Sequence, residues 1–272
     1  MGEVAADRAA GGGRLDVTED AFLGDRLAVL QPKAGYRAGT DAVLLAASIA
    51  GEDGRQFSVL DVGAGVGVVG LCVAARLPAC RVVLAEKNCD LAGLARDNVN
   101  RNGLGDRVEV VQTDVLAPAA SSPLQPETFD HVVSNPPFYG GDAIRASANP
   151  LKADAHVMPD GGLERWLRFM ARMTRPGGQA SMIHVAERLD DVMAAFRGRF
   201  GGLVVQPLHS RAGAAANRVI VRGTKGSRRP LQLLAGIVLH GSDNGFRRDI
   251  DAVLRGPRGL PLADGSGTST AD

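Results

Sequence analysis

Cysteine is scarce in this chain of 272 residues. The three present, Cys72, Cys80 and Cys89, are odd in number and lack the spacing of metal ligands. A disulfide framework and a cysteine-built metal site are thereby excluded, and the thiols read as the reduced cysteines of a cytoplasmic protein. Net charge is also nearly absent, at a formal +1. Global charge therefore names no polyanionic partner, and any such partner has to be argued from local clusters. No apolar run is long enough to span a bilayer. The opening MGEVAADRAAGGG has neither the basic end nor the apolar run of a signal peptide. Ala6 stands where a myristoylation motif wants Ser or Thr. There is no internal repeat and no separate RNA-binding module.

What is there is a regular alternation. Apolar runs read as strands at 57–63, 81–86, 107–114, 129–134 and 179–185. Helical patterns fall between them, to about Arg76, from about Asp90 to Arg101, from Leu163 to about Thr174, and on to about Arg199. Strand–helix alternation predicts an α/β fold, a Rossmann-like doubly wound sheet that is mostly parallel. LVVQPLH (203–209) and NRVIVRG (217–223) have no helix between them and predict an antiparallel pair that closes the sheet. RPGG at 175–178 predicts a clean helix stop. The expected organisation is a disordered tail at 1–14, a segment at 15–50 that covers the sheet or its ligand, a catalytic domain at 51–256 and a second tail at 257–272. Within the covering segment TDAVLLAASIA reads as a helix with Thr40 or Asp41 as its N-cap.

DVGAGVGVVG (61–70) lies between a strand and a helix. Glycines allow tight turns and close approach of the backbone to a ligand, and a helix N-terminus offers free N–H groups. Gly65-x-Gly67-x-x-Gly70 fits a dinucleotide fingerprint, and Glu86 closes the next strand where an acid can take ribose hydroxyls. A purely structural turn is the other reading. Asp61 and the Gly63-x-Gly65-x-Gly67 run favour S-adenosylmethionine over a nicotinamide cofactor, since an acid at the strand end can hold a cationic amino group. Asp114 ends the third strand, either to accept a hydrogen bond from an adenine amine or only to start a turn.

SNPPFYGG (134–141) ends the fourth strand. Pro136 and Pro137 lack the N–H that a central ladder needs, so the strand stops there. An amine conjugated to a ring is a poor nucleophile because its lone pair is delocalised. The Asn135 side-chain oxygen and the Pro136 carbonyl can accept its two N–H groups and free that lone pair, held rigid by the Pro-Pro pair. Phe138 offers a face for a splayed-out base. A capped turn with Phe138 in the core is the alternative. Among the remaining candidates, His131 and His184 fall inside strands and read as core. Trp166, Phe169 and Met173 share one helical face and read as packing.

These residues carry a resemblance. Asp61–Gly65 with Asn135-Pro136-Pro137-Phe138 resembles the class I S-adenosylmethionine-dependent methyltransferases that act on planar amino groups. QPKAGYRAGTDAVLLA (31–46) is similar to the entry motif of the bacterial valine-tRNA adenine-N6 methyltransferase family, which acts on adenine 37. The likeness spans roughly residues 16–255 and is loose after Arg229. It implies that Tyr36, Arg37, Gly39 and Thr40 flank the cofactor's methionine end, that Asp61, Gly63, Gly65 and Gly67 hold its centre, Glu86 its ribose and Asp114 its adenine, and that Asn135 to Phe138 take the target base. The basic run 211–230, with Arg218, Arg222, Lys225 and Arg228, and Lys152 beyond the tip, are the expected RNA contacts. A solvated edge is the alternative reading of that run. An rRNA or protein-glutamine acceptor, an NAD-dependent oxidoreductase and a catalytically silent cofactor binder stay open. No metal is expected, and the oligomeric state is not legible.

Overall fold

The computed structural model describes residues 15–260, apart from 36, 52–54, 119–120, 138, 141–156, 159–160 and 244. The expected tail at 1–14, and the sites Tyr36, Phe138 and Lys152, lie outside the described residues. So does the tail beyond 260. Residues 257–260 do not begin that tail: Leu260 is buried, and its N–H donates to the Ala47 carbonyl at 2.8 Å.

A hairpin comes first, of strands β1 (Val17–Phe22) and β2 (Leu27–Pro32), followed by helix α1 (Thr40–Ala47). The alternating elements then follow: β3 (Phe57–Val62), α2 (Val68–Arg76), β4 (Cys80–Glu86), α3 (Cys89–Arg101), β5 (Val108–Gln112) and β6 (Phe129–Ser134). After two short strands, β7 (Tyr139–Gly140) and β8 (Val157–Met158), come α4 (Gly162–Met173), β9 (Thr174–Val185), α5 (Leu189–Phe196), β10 (Phe200–His209) and β11 (Ala216–Lys225). Strands β12 (Gln232–Leu233) and β13 (Ile237–Val238) and helix α6 (Arg248–Arg255) complete the described chain.

The main sheet has the order β12-β10-β11-β9-β6-β3-β4-β5, with β13 also paired to β10. Strands β9, β6, β3, β4 and β5 are parallel; β11 is antiparallel to both β9 and β10. The Rossmann-like, mostly parallel sheet with an antiparallel pair is therefore present. The helix α4 stops at Met173, just before RPGG, as expected. Strand β9 begins at once at Thr174 and carries those four residues in its first stretch. Arg175 fixes it there by donating to Asp130 on β6 at 2.6 Å.

Two apolar clusters flank the sheet. Side chains alternate across a strand, so Val59 faces one cluster with α1, α2, α3 and α6, while Leu60 and Val62 face the other with α4 and α5. Asp61 falls on the α2 face by the same alternation. That parity decides its role.

Candidate active site

The carboxyl ends of β6, β3 and β4 stand side by side. Val133 is opposite Asp61, and Asp61 is opposite Leu84. Two residues further on, Asn135, Gly63 and Glu86 line one rim, and Asp114 follows just past the end of β5. Neighbouring strands are about 4.8 Å apart, so the row from Asn135 to Asp114 is ~14 Å long. Ligands of open α/β sheets sit at this edge.

The glycines of the loop divide into two kinds. A Cβ on Gly63 would stand 2.6 Å from the Trp166 ring, and one on Gly67 would stand 2.8 Å from Leu84. One on Gly70 would meet Leu84 at 2.2 Å. Protein already fills the space beside these three. A Cβ on Gly65 would meet nothing within 4 Å, and its φ of +57° is the left-handed region that favours glycine. Gly65 therefore presents backbone to open space. Gly39, the residue that N-caps α1, also opens onto nothing within 4 Å. The expected cap at Thr40 or Asp41 is not formed: Thr40 is the first helical residue, and Asp41 instead accepts from Arg218 at 2.8 Å.

Glu86 is buried and holds the loop from the neighbouring strand. Its Oε2 accepts from the Gly65 N–H and its Oε1 from the Asn88 N–H, each at 2.8 Å. Each oxygen keeps acceptor capacity for a hydroxyl. Asp114 is exposed and starts a turn, accepting from the Leu116 N–H at 2.8 Å. Asp61 faces α2. It is 1% exposed, lies under α2 and accepts from the Gly70 N–H at 3.0 Å. Burial pushes its carboxyl up to about 7, against the pull of the Gly70 bond, with nearby Glu86 adding to the rise. Its carboxyl docks the first turn of α2. Cys72 and Cys80 are buried thiols, each pushed up to about 12, chiefly by burial.

Arg37 likewise serves the scaffold. It donates to Asp20 at 2.7 Å, Thr18 at 2.6 Å and the Pro32 carbonyl at 3.2 Å. Gln31 adds a two-sided clamp, accepting from the Ala38 N–H at 2.8 Å and donating to the Ala38 carbonyl at 3.2 Å. Together they fasten the 33–39 segment to the hairpin.

The tip after β6 is held from the opposite face. Ser134 is fully buried and donates to the Val62 carbonyl at 2.8 Å, while the Trp166 indole N–H donates to the Ser134 hydroxyl at 2.9 Å. Asn135 is half-buried, with its Oδ1 buried, and Pro136 is buried. The helical spacing of Trp166 indicates packing alone. Its indole both fills the space above Gly63 and closes this relay, so it joins the glycine loop to the acceptor tip.

Asn98 of α3 and its C-cap residue, Asn102, have a role that no motif in the sequence marks. Asn98 accepts from the Leu30 N–H at 2.7 Å and donates to the carbonyls of Leu30 and Val66, each at 3.0 Å. One turn on, Asn102 pairs in the same way with the N–H and carbonyl of Ala28, each at 2.9 Å. Their side chains stand in for a strand neighbour of β2 and reach the glycine loop through Val66. The visible signal is an asparagine on a helical face otherwise made of Ala92, Ala95 and Val99.

The basic run 211–230 is mostly committed. Arg218 is paired with Asp41. Arg222 is buried. Lys225 donates to Glu127 at 2.9 Å and to the carbonyls of Ala171 and Thr174 at 2.7 and 2.8 Å, which stops the end of α4. Register also separates these residues. Arg218 is opposite Val185, at the rim, whereas Lys225 lies at the other end of the sheet opposite Phe200. Arg228 is exposed but follows Lys225 at that far end. Lys225 and Arg228 therefore do not share the edge of Asn135, contrary to expectation. His131 packs edge-on against Phe57, and His184 is buried, so both are core residues. Among the described residues no group of His, Cys, Asp and Glu could hold a metal ion, and no helix is long and apolar enough to cross a membrane.

Comparison with known proteins agrees with this geometry. The family model described as methyltransferase small domain matches residues 38–164. The tRNA1(Val) (adenine(37)-N6)-methyltransferase of Porphyromonas gingivalis is 32% identical over 178 residues, covering 64% of this chain and 68% of that protein. The enzyme of the same name from Aeromonas hydrophila is 28% identical over 219 residues, 79% of this chain and 86% of that protein. The release factor glutamine methyltransferase of Chlorobaculum tepidum matches only 81 residues, at 38% identity, covering 30% of this chain and 27% of that protein. A crystal structure from Agrobacterium tumefaciens, described as a predicted O-methyltransferase, superimposes with a TM-score of 0.68 at 31% identity, covering 80% of this chain and 97% of that one.

Proposed function

The chain belongs to the tRNA1(Val) (adenine(37)-N6)-methyltransferase family, and we propose that it transfers a methyl group from S-adenosylmethionine to the N6 amino group of an adenine in tRNA, adenine 37 of a valine tRNA. The observation that carries this reading is the rim itself, which sets Asn135, the open backbone at Gly65 and the carboxylate of Glu86 on consecutive strand ends.

The residues fit the cofactor. Gly65 leaves room for close approach, the N-terminus of α2 favours a polar ligand, and Glu86 is already aimed at the loop to accept ribose hydroxyls. Gly39 and Thr40, at the start of α1, edge the methionine end, and Asp114 takes the adenine amine with its remaining acceptor capacity. S-adenosylmethionine supplies a methyl group activated by its sulfonium. The chain's part is to prepare the acceptor. Asn135 Oδ1 and the Pro136 carbonyl accept the two N–H groups of the amine, which localises its lone pair on nitrogen. Pro136 and Pro137 hold both acceptors rigid, so little reorganisation is needed as positive charge develops. The methylated amine is acidic and gives up its proton without a dedicated base. Phe138 is assigned the stacking face for the base. The protein works where tRNA is found, in the cytoplasm.

Nucleoside mass spectrometry of tRNA from cells lacking this protein tests the reading. Loss of N6-methyladenosine from the valine tRNA fraction is expected. An unchanged tRNA profile with loss of methylation on a protein glutamine would replace the tRNA acceptor with a protein one.

A further inference from the structure

The expected RNA contacts leave a gap. A tRNA acceptor brings a phosphate backbone, yet Arg218, Arg222 and Lys225 are engaged within the fold, and Arg228 lies at the edge away from Asn135.

The chain after β11 returns to the rim. Strand β13 pairs with the end of β10, with Ile237 opposite Leu208 and Val238 opposite His209. The Leu239 N–H then donates to the His209 carbonyl at 2.8 Å, and the Arg247 N–H donates to the Leu239 carbonyl at 2.9 Å. Strand β10 runs in the direction of β9, because β11 is antiparallel to both, so His209 ends at the same edge as Asn135. Arg247 and Arg248 therefore start α6 at the rim, beyond β13 and so at least four strand spacings from β6, or ~19 Å across the sheet.

From the rim along α6, Arg247, Arg248, Asp249, Ala252 and Arg258 line an open cleft of about 650 Å³, whose Arg258 end lies beside Gly259 against Ala47 and Arg76, away from the rim. All three arginines are exposed. Arg247 is held at 3.3 Å by Asp249, while Arg248 and Arg258 make no ion pair among the described residues. The apolar face of α6, Ile250 and Val253, is buried in the core cluster that also holds α1, so the cleft is mounted on a packed helix. Three guanidinium groups against one carboxylate make a cationic trough whose chemistry matches phosphate, which guanidinium can grip through paired N–H groups. We propose that this cleft takes the phosphate backbone of the tRNA whose adenine enters at Asn135. The proposal rests on the tRNA reading above. It moves the RNA contact from the run 211–230 to Arg247, Arg248 and Arg258.

The test is a set of binding titrations on an unmodified tRNA1(Val) transcript at several salt concentrations. It compares wild type with a triple variant, Arg247→Gln, Arg248→Gln and Arg258→Gln. Every phosphate that an arginine no longer neutralises reduces the salt slope by roughly 0.7–0.9, so the slope of the triple variant should be smaller by about 2–3. The corresponding Arg→Lys triple variant should keep most of the slope, because charge is retained. The pair Arg228→Gln and Arg229→Gln, at the opposite edge, should keep all of it. Unchanged slope in the triple Gln variant, or a reduced slope in the Arg228/Arg229 pair instead, overturns the assignment while leaving the tRNA reading intact. A wild-type protein that binds the transcript without any salt dependence overturns both. The substituted side chains are all exposed, and an unchanged thermal unfolding midpoint shows that the fold is retained.

Discussion

The two halves of the rim are held in different ways. In the cofactor half, over β3, β4 and β5, each acid accepts a nearby backbone N–H: Glu86 from Gly65 and Asn88, Asp114 from Leu116, Asp61 from Gly70. These partners lie within about 21 residues of one another, and the half assembles from two consecutive βαβ units, β3–α2–β4–α3–β5. In the acceptor half the tip depends on distant parts. Ser134 reaches back to Val62, and Trp166 reaches down from α4. The half proposed to take the cofactor is thus built locally, and the tip proposed to take the acceptor is built by tertiary packing. Substitutions in one half should mark affinity, and those in the other should mark turnover.

The largest effect should come from Asn135→Ala. Loss of one preorganised acceptor typically costs about 100- to 1,000-fold. Turnover should fall on that scale, while calorimetry shows S-adenosylhomocysteine affinity nearly unchanged. A large loss of affinity instead would erase the division between the halves. Next is Glu86→Ala, which removes acceptors for ribose and for the Gly65 N–H. Affinity for S-adenosylhomocysteine should weaken by roughly 1–3 kcal/mol, with turnover at saturating cofactor less affected. A normal binding isotherm would remove Glu86 from the site.

Trp166→Phe is smaller and sharper. It keeps a ring over Gly63 but deletes the N–H that holds Ser134. A hydrogen bond of this kind is worth about 1 kcal/mol net, so turnover should fall about five- to tenfold with cofactor affinity preserved. Equal losses in both quantities would make Trp166 a packing residue only.

A separate effect concerns stability and pH rather than turnover. Asp61 has a carboxyl raised to about 7 from an ordinary value of 3.8, so the folded chain binds this proton more tightly than the unfolded chain. Its contribution to stability is therefore lost as pH rises from about 4 to 7. Asp61→Asn should flatten that part of the stability curve, as read from denaturant midpoints. A curve of unchanged slope would place the titration elsewhere.

Much of this was legible in the sequence because its causes are local. Strand–helix alternation, the glycine loop, Glu86 at the next strand end and the Pro-Pro stop all act over a few residues, and each appears where expected. What stayed hidden depends on parity and distance. Asp61 stands at a strand end, and strand alternation turns it under α2. The space beside Gly63 is filled by Trp166, about a hundred residues later in the chain, which no local motif announces. Arg218, Arg222 and Lys225 looked like a basic face, but adjacent strands and the end of α4 take them up. No spacing rule announces that Asn98 and Asn102 would replace a strand neighbour for β2; an amide on an apolar helix face was the one trace.

The account's central claim is that the tip at Asn135 presents an adenine amine of tRNA for methyl transfer. The most direct measurement is transfer of a labelled methyl group from S-adenosylmethionine to a tRNA1(Val) transcript, beside the same transcript with adenine 37 replaced by guanine, each with wild type and with Asn135→Ala. Label recovered as N6-methyladenosine only from wild type on the adenine-37 transcript is the predicted result. Equal label on both transcripts, or undiminished label with Asn135→Ala, would contradict it.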